Sequence, residues 1–140
     1  MSMNWQKAVV AGIVATLIMT AVGVWVAPML GLPRMNPAEM LAESLGGRLS
    51  LGWAVHLLIG AVLAVIYAFV AGRLPGPPPV RGALFALAPW LLAQGMGAMS
   101  PGGITIGAVI GSLIGHLVYG AVVGAGYGPI STDAASPSVR

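Results

Sequence analysis

Four long apolar stretches alternate with short polar segments along the chain, and continuous apolar runs are typical of helices that cross a membrane. Each stretch has about the 20 residues that a helix needs to cross a hydrocarbon core of about 30 Å. The predicted spans are residues 8–27, 51–71, 82–99 and 104–127. The alternation of polar and apolar residues that marks a membrane β-barrel is absent from the sequence, so we predict an all-α fold.

The segment between the first two predicted spans has helix signals of its own. Asn36 suits an N-cap, Pro37 suits the first helical position, and Glu39 completes a capping motif. Gly46 and Gly47 would end this helix. Apolar side chains recur at helical spacing and predict a short amphipathic helix that lies on the outer membrane surface or covers the bundle. The predicted apolar face consists of Met40, Leu41, Ser44 and Leu45.

Composition agrees with a membrane protein and excludes several other classes. Of the 140 residues, 58% are hydrophobic and 6% are charged, and the mean hydropathy is +0.95. Soluble domains have roughly 25% charged residues. The absence of cysteine excludes disulfides, thiolate metal sites and iron–sulfur clusters. The net charge of +3 comes from cations in separate loops, so no nucleic acid is expected as a partner.

The distribution of basic residues predicts the orientation in the membrane. Cytoplasmic loops carry an excess of Lys and Arg. Four basic residues fall on one side of the predicted spans, namely Lys7, Arg73, Arg81 and Arg140. The other side has Arg34 and Arg48, together with Glu39 and Glu43. We therefore expect residues 1–140 to form one integral membrane domain with both termini in the cytoplasm.

Part of the chain appears twice. A shift of sixty residues aligns residues 56–67 with residues 116–127, with six identities in twelve positions. Because the two segments are separated by two crossings, they run in the same direction. We predict a four-helix bundle made of two parallel two-helix repeats, residues 7–73 and 81–133, related by a pseudo-twofold axis along the membrane normal.

The alignment brings two histidines into equivalent positions and suggests a cofactor site. A haem b held between the second and fourth spans requires two imidazoles at one depth, small residues one turn away, and cations for the propionates. His56 and His116 would be the iron ligands, Gly60 and Gly120 would admit the ring, and Arg48 would bind a propionate. The competing interpretation is that each histidine hydrogen-bonds a neighbouring helix and has only a packing role.

Methionines offer a second candidate site. Thioether sulfur is a soft ligand that suits Cu(I). Met96 and Met99 share a helix face, and Met19, Met29 and Met35 are expected near the same outer surface. Methionine is also an ordinary apolar residue in helices, so a packing role is the alternative.

A third interpretation makes the chain a non-catalytic subunit of a larger membrane complex, or a homo-oligomer, with the lipid bilayer as its surroundings. Its support is a row of glycines four residues apart in the fourth span, since such rows let helices approach closely in lipid. The row consists of Gly103, Gly107, Gly111 and Gly115.

Enzymatic and transport functions have less support. The predicted spans contain no Asp, Glu, Lys or Arg, and these residues mark proton relays and ion sites in membranes. A pump is therefore not expected, and passage of a small solute is a minor alternative. No catalytic triad, phosphate loop or metallohydrolase motif is found. Thr16 and Thr20 are expected to bond to carbonyls of their own helix, and Gln94 is expected to bridge two helices.

Several motifs give the chain a resemblance to a known family. They are residues 12–20 (GIVATLIMT), residues 31–33 (GLP), residues 51–56 (LGWAVH), residues 74–78 (LPGPP) and residues 111–128 (GSLIGHLVYGAVVGAGYG). With these motifs the sequence resembles small four-helix proteins of the bacterial inner membrane that form a family of unknown function, loosely similar to YagU-type proteins. The resemblance implies a fold and a location in the inner membrane, and it implies no activity.

Overall fold

The computed structural model describes residues 3–99 and 102–130, which are helical along every predicted span and contain no strand. Helix α1 (Trp5–Ala21) continues through a π-helical segment (Val22–Val26) and a last turn (Ala27–Met29). The other helices are α2 (Pro37–Ser44), α3 (Leu49–Val70, followed by a 3-10 turn at Ala71–Arg73), α4 (Pro78–Ala98) and α5 (Ile106–Tyr127). Two residues used in the predictions lie outside the described part of the chain: Arg140, assigned to the cytoplasmic side, and Asp133, the end of the second repeat.

Three helical segments are long and apolar enough to cross a membrane. They are Trp5–Met29, Leu49–Arg73 and Ile106–Tyr127, which correspond to the first, second and fourth predicted spans. The third predicted span forms α4, whose 21 residues have the length of a crossing. Arg81 and Gln94 lower the mean hydropathy of this helix, so it is not among the helices that are both long and apolar enough to cross a membrane.

Helices α1 and α3 pack backbone against backbone because their contact positions are small. A Cβ added at Gly12 of α1 would lie 2.6 Å from the Gly60 carbonyl oxygen and 2.7 Å from the Ala64 Cβ. Ala8 and Ala15 on the same face of α1 are fully buried. Small residues at such spacing permit close helix contact where the surrounding solvent is apolar.

Helices α4 and α5 form the most extensive helix contact among the described residues, again through glycine. A Cβ added at Gly82 of α4 would meet the Gly120 carbonyl and would lie 2.8 Å from the Gly124 amide nitrogen. Conversely, a Cβ added at Gly120 would lie 2.7 Å from the Ala86 Cβ. Both helix pairs are thus held at a distance that only small residues allow.

The glycine row predicted on α5 is largely covered by other parts of the same chain. Helix α1 packs along α5, and the loop after α1 lies over the beginning of α5. The contacts join Gly107 to Pro33, Gly111 to Met35 and Gly115 to Met19, at 3.0–3.5 Å from the added Cβ positions. Only Gly103 of this row has nothing within 4 Å. Most of the surface that was expected to bind a partner subunit is therefore used inside the chain.

Helix α2 begins as predicted, and the face that it buries within the chain consists of alanines. The Asn36 side chain accepts a hydrogen bond from the Ala38 amide at 3.1 Å. The buried residues of α2 are Ala38 and Ala42, and both contact α3 at Gly52. Met40, one of the larger side chains of the predicted apolar face, is 55% exposed, as a face that lies on a membrane surface would be. Close approach of the α2 and α3 backbones requires the small side chains at the contact.

An ion pair links the loop before α2 to its first turn. The Arg34 guanidinium donates to both Glu39 carboxylate oxygens, at 2.8 and 2.9 Å. Both side chains are substantially exposed. The hydrogen bond from Arg34 lowers the pKa of Glu39 below its usual value. Glu39 also lies in the first helical turn, where a negative charge is favoured by the helix dipole.

Aromatic rings fill the end of the bundle where α3 ends and α4 begins. Tyr67 is 1% exposed and contacts Phe85 and Tyr127 with ring centroids 5.6 and 6.1 Å apart. Its hydroxyl donates to the Pro78 carbonyl at 3.3 Å. Lys7 lies at this same end, beside Gly128, so the beginning of α1 and the end of α5 are neighbours.

Candidate functional site

His56 bridges two helices rather than standing free. It is 7% exposed, and its Nε2 lies 3.0 Å from the Thr20 hydroxyl of α1. Thr20 donates its only hydroxyl proton to the Thr16 carbonyl at 2.8 Å, so towards His56 it acts as an acceptor. The histidine Nε2 therefore carries a proton and donates it to Thr20. The expected back-bonds of Thr16 and Thr20 to their own helix are confirmed.

His116 is held differently, by its own helix. Its Nδ1 lies 2.8 Å from the Ser112 carbonyl oxygen. Because a carbonyl can only accept, Nδ1 carries the proton and Nε2 keeps its lone pair. The expected bridge from Gln94 is confirmed, since its Nε2 donates to the Ser112 hydroxyl at 3.1 Å and joins α4 to α5.

Tyr119 is the residue at this site whose position the sequence did not indicate. It is 2% exposed, and its hydroxyl donates to the Gly60 carbonyl at 2.6 Å. Tyr119 comes three residues after His116, and Gly60 comes four residues after His56. The phenol ring therefore crosses from α5 to α3 about one helical turn from both histidines.

These contacts do not fit the proposed haem site. Tyr119 occupies the space between α3 and α5 in which the macrocycle would lie. The two glycines that were expected to admit the ring are filled by other helices: Gly60 contacts Thr16, and Gly120 contacts α4. The Nε2 atom of His56 is committed to Thr20. Of the two remaining predicted site residues, His116 is bonded to the Ser112 carbonyl, and Arg48 is exposed at the N-cap of α3.

A small cavity lies beside His116. Its volume is about 40 Å³, and its lining includes Met19, Met35 and Ser112. A cavity of this size has room for a water molecule or an ion. Pockets for drug-sized molecules measure about 300–1,000 Å³. The cavity is thus suited to a single small occupant.

The methionines predicted for copper divide into two groups. Met29, Met96 and Met99 are 84%, 61% and 81% exposed, whereas Met19 and Met35 line the cavity. Within residues 3–99 and 102–130, no group of three or more His, Cys, Asp or Glu residues could hold a metal ion. A metal site in this part of the chain would therefore need ligands of other types, of which thioether sulfur is one.

The π-helical segment of α1 fixes one wall of this cavity. The Gly23 carbonyl, inside that segment, accepts a hydrogen bond from the Met35 amide at 3.0 Å. A Cβ at Gly23 would lie 2.5 Å from the Met35 carbonyl oxygen. The absence of a side chain at Gly23, within this widened turn, thus lets the Met35 backbone approach α1. Single π turns within helices are frequent at functional sites.

A wider and more open groove lies near the opposite end, between α1 and α5. Its volume is about 460 Å³, and its lining is mainly apolar, with Lys7, Asn4 and Gln6 at the end where α1 begins. None of the residues predicted for a site contributes to this groove.

Comparison with known proteins yields a family but no characterised relative. A family model described as a family of unknown function, DUF6789, matches residues 3–138. No curated protein and no solved structure matches the chain.

Proposed function

The chain belongs to the DUF6789 family, and we propose that it is a non-catalytic, four-crossing membrane protein in which His56 stabilises the helix bundle. The observation that carries this proposal is the pairing of polar side chains inside the bundle. His56 bonds Thr20, Tyr119 bonds the Gly60 carbonyl, and Gln94 bonds Ser112. The Trp90 indole nitrogen is the exception among the described buried side-chain atoms, because it has no hydrogen-bond partner.

The packing of α4 supports a fourth crossing. Helix α4 is 21 residues long and runs against α5 with the same backbone-to-backbone contact that joins α1 to α3. A helix of that length measures about 31 Å, the thickness of the hydrocarbon core. Such a helix follows α5 across the membrane even though its own composition is less apolar.

The proposed orientation places both termini in the cytoplasm of a bacterium, with the chain in the inner membrane. Lys7 lies beside Gly128, and Arg81 donates to the Leu74 carbonyl at 2.9 Å, so basic residues gather at one end. This end is the one that the positive-inside rule assigns to the cytoplasm.

The cysteine-free sequence permits a direct test of the topology by single-cysteine labelling with a membrane-impermeant maleimide. Ser44→Cys and Gly102→Cys should react in intact cells whose outer membrane has been made permeable. Pro75→Cys should react only after the inner membrane is opened. If Gly102→Cys, like Pro75→Cys, reacts only after the inner membrane is opened, while Ser44→Cys reacts in intact cells, α4 does not cross the membrane.

Matched glycine contacts support the proposed two-helix repeats, 7–73 and 81–133. The contact set in the first half is Gly12 with Gly60 and Ala64, and that in the second half is Gly82 with Gly120 and Gly124. In the first helix of each half the matching residues, Gly12 and Gly82, are seventy positions apart. In the second helix of each half, Gly60 and Gly120 are sixty positions apart. The halves differ at Tyr119, whose counterpart under the same offset is Ile59. The hydrogen bond that Tyr119 of α5 donates to α3 therefore has no equivalent from Ile59 of α3.

An optical spectrum distinguishes a packing role of the histidines from haem binding. Protein purified after haem-supplemented expression should have no Soret band. Replacement of His56 by alanine should lower the stability of the bundle without a change in the visible spectrum. A Soret band that disappears in both His56→Ala and His116→Ala would reject the packing role and restore the haem hypothesis.

A further inference from the structure

We propose that Met19, Met35 and His116 form a binding site for one soft monovalent cation, Cu(I) in the cell. All three side chains line the same cavity of about 40 Å³, at the end of the bundle away from Lys7. The site goes beyond the structural role proposed above, and that role does not depend on it.

The hydrogen bond of His116 prepares the ring for a metal. Histidines that bind metals nearly always donate their second ring N–H to a carboxylate, a backbone carbonyl or water, which fixes the tautomer and the ring orientation. The Ser112 carbonyl receives this bond from Nδ1 at 2.8 Å. The lone pair consequently lies on Nε2, the atom farther from the helix backbone. His56 lacks this preparation, because its Nε2 is bonded to Thr20.

Two glycines of α5 make room for the thioethers next to that ring. The Met35 sulfur lies 3.4 Å from the position of a Cβ at Gly111, and the Met19 methyl group lies 3.5 Å from that at Gly115. Gly111 and Gly115 are one helical turn apart, as are Ser112 and His116. The two methionines therefore meet α5 beside the histidine, one from α1 and one from the loop that follows it.

Backbone contacts hold Met35 close to α1, and these contacts do not depend on its side chain. Its amide donates to the Gly23 carbonyl at 3.0 Å, inside the π-helical segment (Val22–Val26). Pro37, which follows two residues later, also lines the cavity and begins α2. The loop is thus fixed on both sides of Met35, which limits the rearrangement needed on binding.

The ligand set selects the class of cation. Thioether sulfur is soft and favours Cu(I), and imidazole also binds copper. Mg²⁺ and Ca²⁺ require oxygen ligands, usually with carboxylates. The cavity lining contains no carboxylate, so a divalent ion would retain its full charge in an apolar setting. A monovalent soft ion is the species that three neutral ligands can hold there.

The test uses the full chain purified in detergent and Cu(I) supplied without oxygen, with bicinchoninate as a coloured competitor. Wild-type protein should bind one Cu(I) per chain, and Ag(I) should displace it. Met19→Leu and Met35→Leu should each weaken binding by at least about 10-fold, because loss of a residue that only supports a ligand already costs about 10- to 100-fold. Leucine is close to methionine in volume, so these variants should keep the fold.

Exposed methionines provide the matched controls. Met29→Leu and Met99→Leu remove thioethers that are 84% and 81% exposed, and both should bind Cu(I) within twofold of wild type. X-ray absorption of the loaded protein should show sulfur and nitrogen ligands, with the nitrogen signal lost in His116→Ala. The proposal is overturned if the Met19→Leu, Met35→Leu double variant binds as tightly as wild type, or if the controls weaken binding equally. A cavity that holds only water would leave the wild-type protein without Cu(I), and this result also overturns the proposal.

Discussion

Substitution of alanine for Gly82 tests the close contact between α4 and α5. The added methyl carbon would meet the Gly120 carbonyl and would lie 2.8 Å from the Gly124 amide nitrogen. These are backbone atoms of a helix, so they cannot turn away as a flexible side chain would, and the two helices must separate. Overpacking of a tight core costs about 1–3 kcal/mol, and overlap with several backbone atoms places Gly82→Ala near the upper value.

A second glycine of α4 isolates that contact from helix propensity. Gly95 lies in the same helix with nothing within 4 Å of its added Cβ, so Gly95→Ala should stabilise by up to about 1 kcal/mol through propensity alone. Gly82→Ala has the same gain but also the overlap, and we expect it to be net destabilised by about 2 kcal/mol. The free energies of unfolding would be measured by titration with sodium dodecyl sulfate in mixed micelles. Equal stability of the two variants would refute the packing described for α4 and α5.

Three further predictions concern single polar contacts. Tyr119→Phe removes one buried hydrogen bond and should lower the free energy of unfolding by about 0.5–1.5 kcal/mol; an unchanged value would show that the bond contributes nothing. A double-mutant cycle of His56→Ala and Thr20→Val should give a coupling energy of about 0.6 kcal/mol, and at most about 1.7 kcal/mol, as for other hydrogen bonds between membrane helices. Additive effects of the two substitutions on the free energy of unfolding would contradict the hydrogen bond between His56 and Thr20. Because Arg34 lowers the pKa of Glu39, the ion pair stabilises α2 at pH values above the ordinary carboxyl pKa. This stabilisation disappears as the pH falls through the lowered pKa. NMR titration of the Glu39 carboxyl should show the lowered pKa, and Arg34→Gln should restore the ordinary one.

The positions of the helices could be predicted because uninterrupted apolar runs and cap residues are local signals. The predicted spans 8–27 and 104–127 agree with Trp5–Met29 and Ile106–Tyr127 within a few residues. The Asn36 cap likewise follows from its own side chain and the next two residues. Such features depend on the chain within one or two turns, so no tertiary information is required.

The buried faces were harder to predict because both faces of a membrane helix are apolar. In α2 the spacing of the larger side chains predicted an apolar face without deciding between the membrane surface and the bundle, and it is Ala38 and Ala42 that meet α3. Helical spacing identifies residues that share a face without identifying what that face meets. Where backbones approach closely, the smallest side chains occupy the contact, and the large ones stay outside, as with Met40.

The candidate site could be predicted only in part, since it depends on which helices become neighbours. Equivalent positions of His56 and His116 in the alignment suggested that they share one ligand, but each has its own partner, Thr20 and the Ser112 carbonyl. Tyr119 has no counterpart in the other half, so the alignment contained no signal for its bond to α3. The grouping of Met19 with Met35 likewise depends on a loop that folds back on α1.

Because α1 contains a π-helical segment (Val22–Val26), the side chains after this segment point in directions that a regular α-helix would not give them. One extra residue in a helix turns everything beyond it by about 100° relative to a regular α-helix. A scan of polar substitutions along α1 should therefore show tolerated positions at regular helical spacing up to Ala21, and the tolerance of Ala27, Pro28 and Met29 should depart from that spacing. Deletion of one residue between Ala21 and Ala27 would restore regular winding but would rotate the loop that follows α1, and Met35 with it, away from α5.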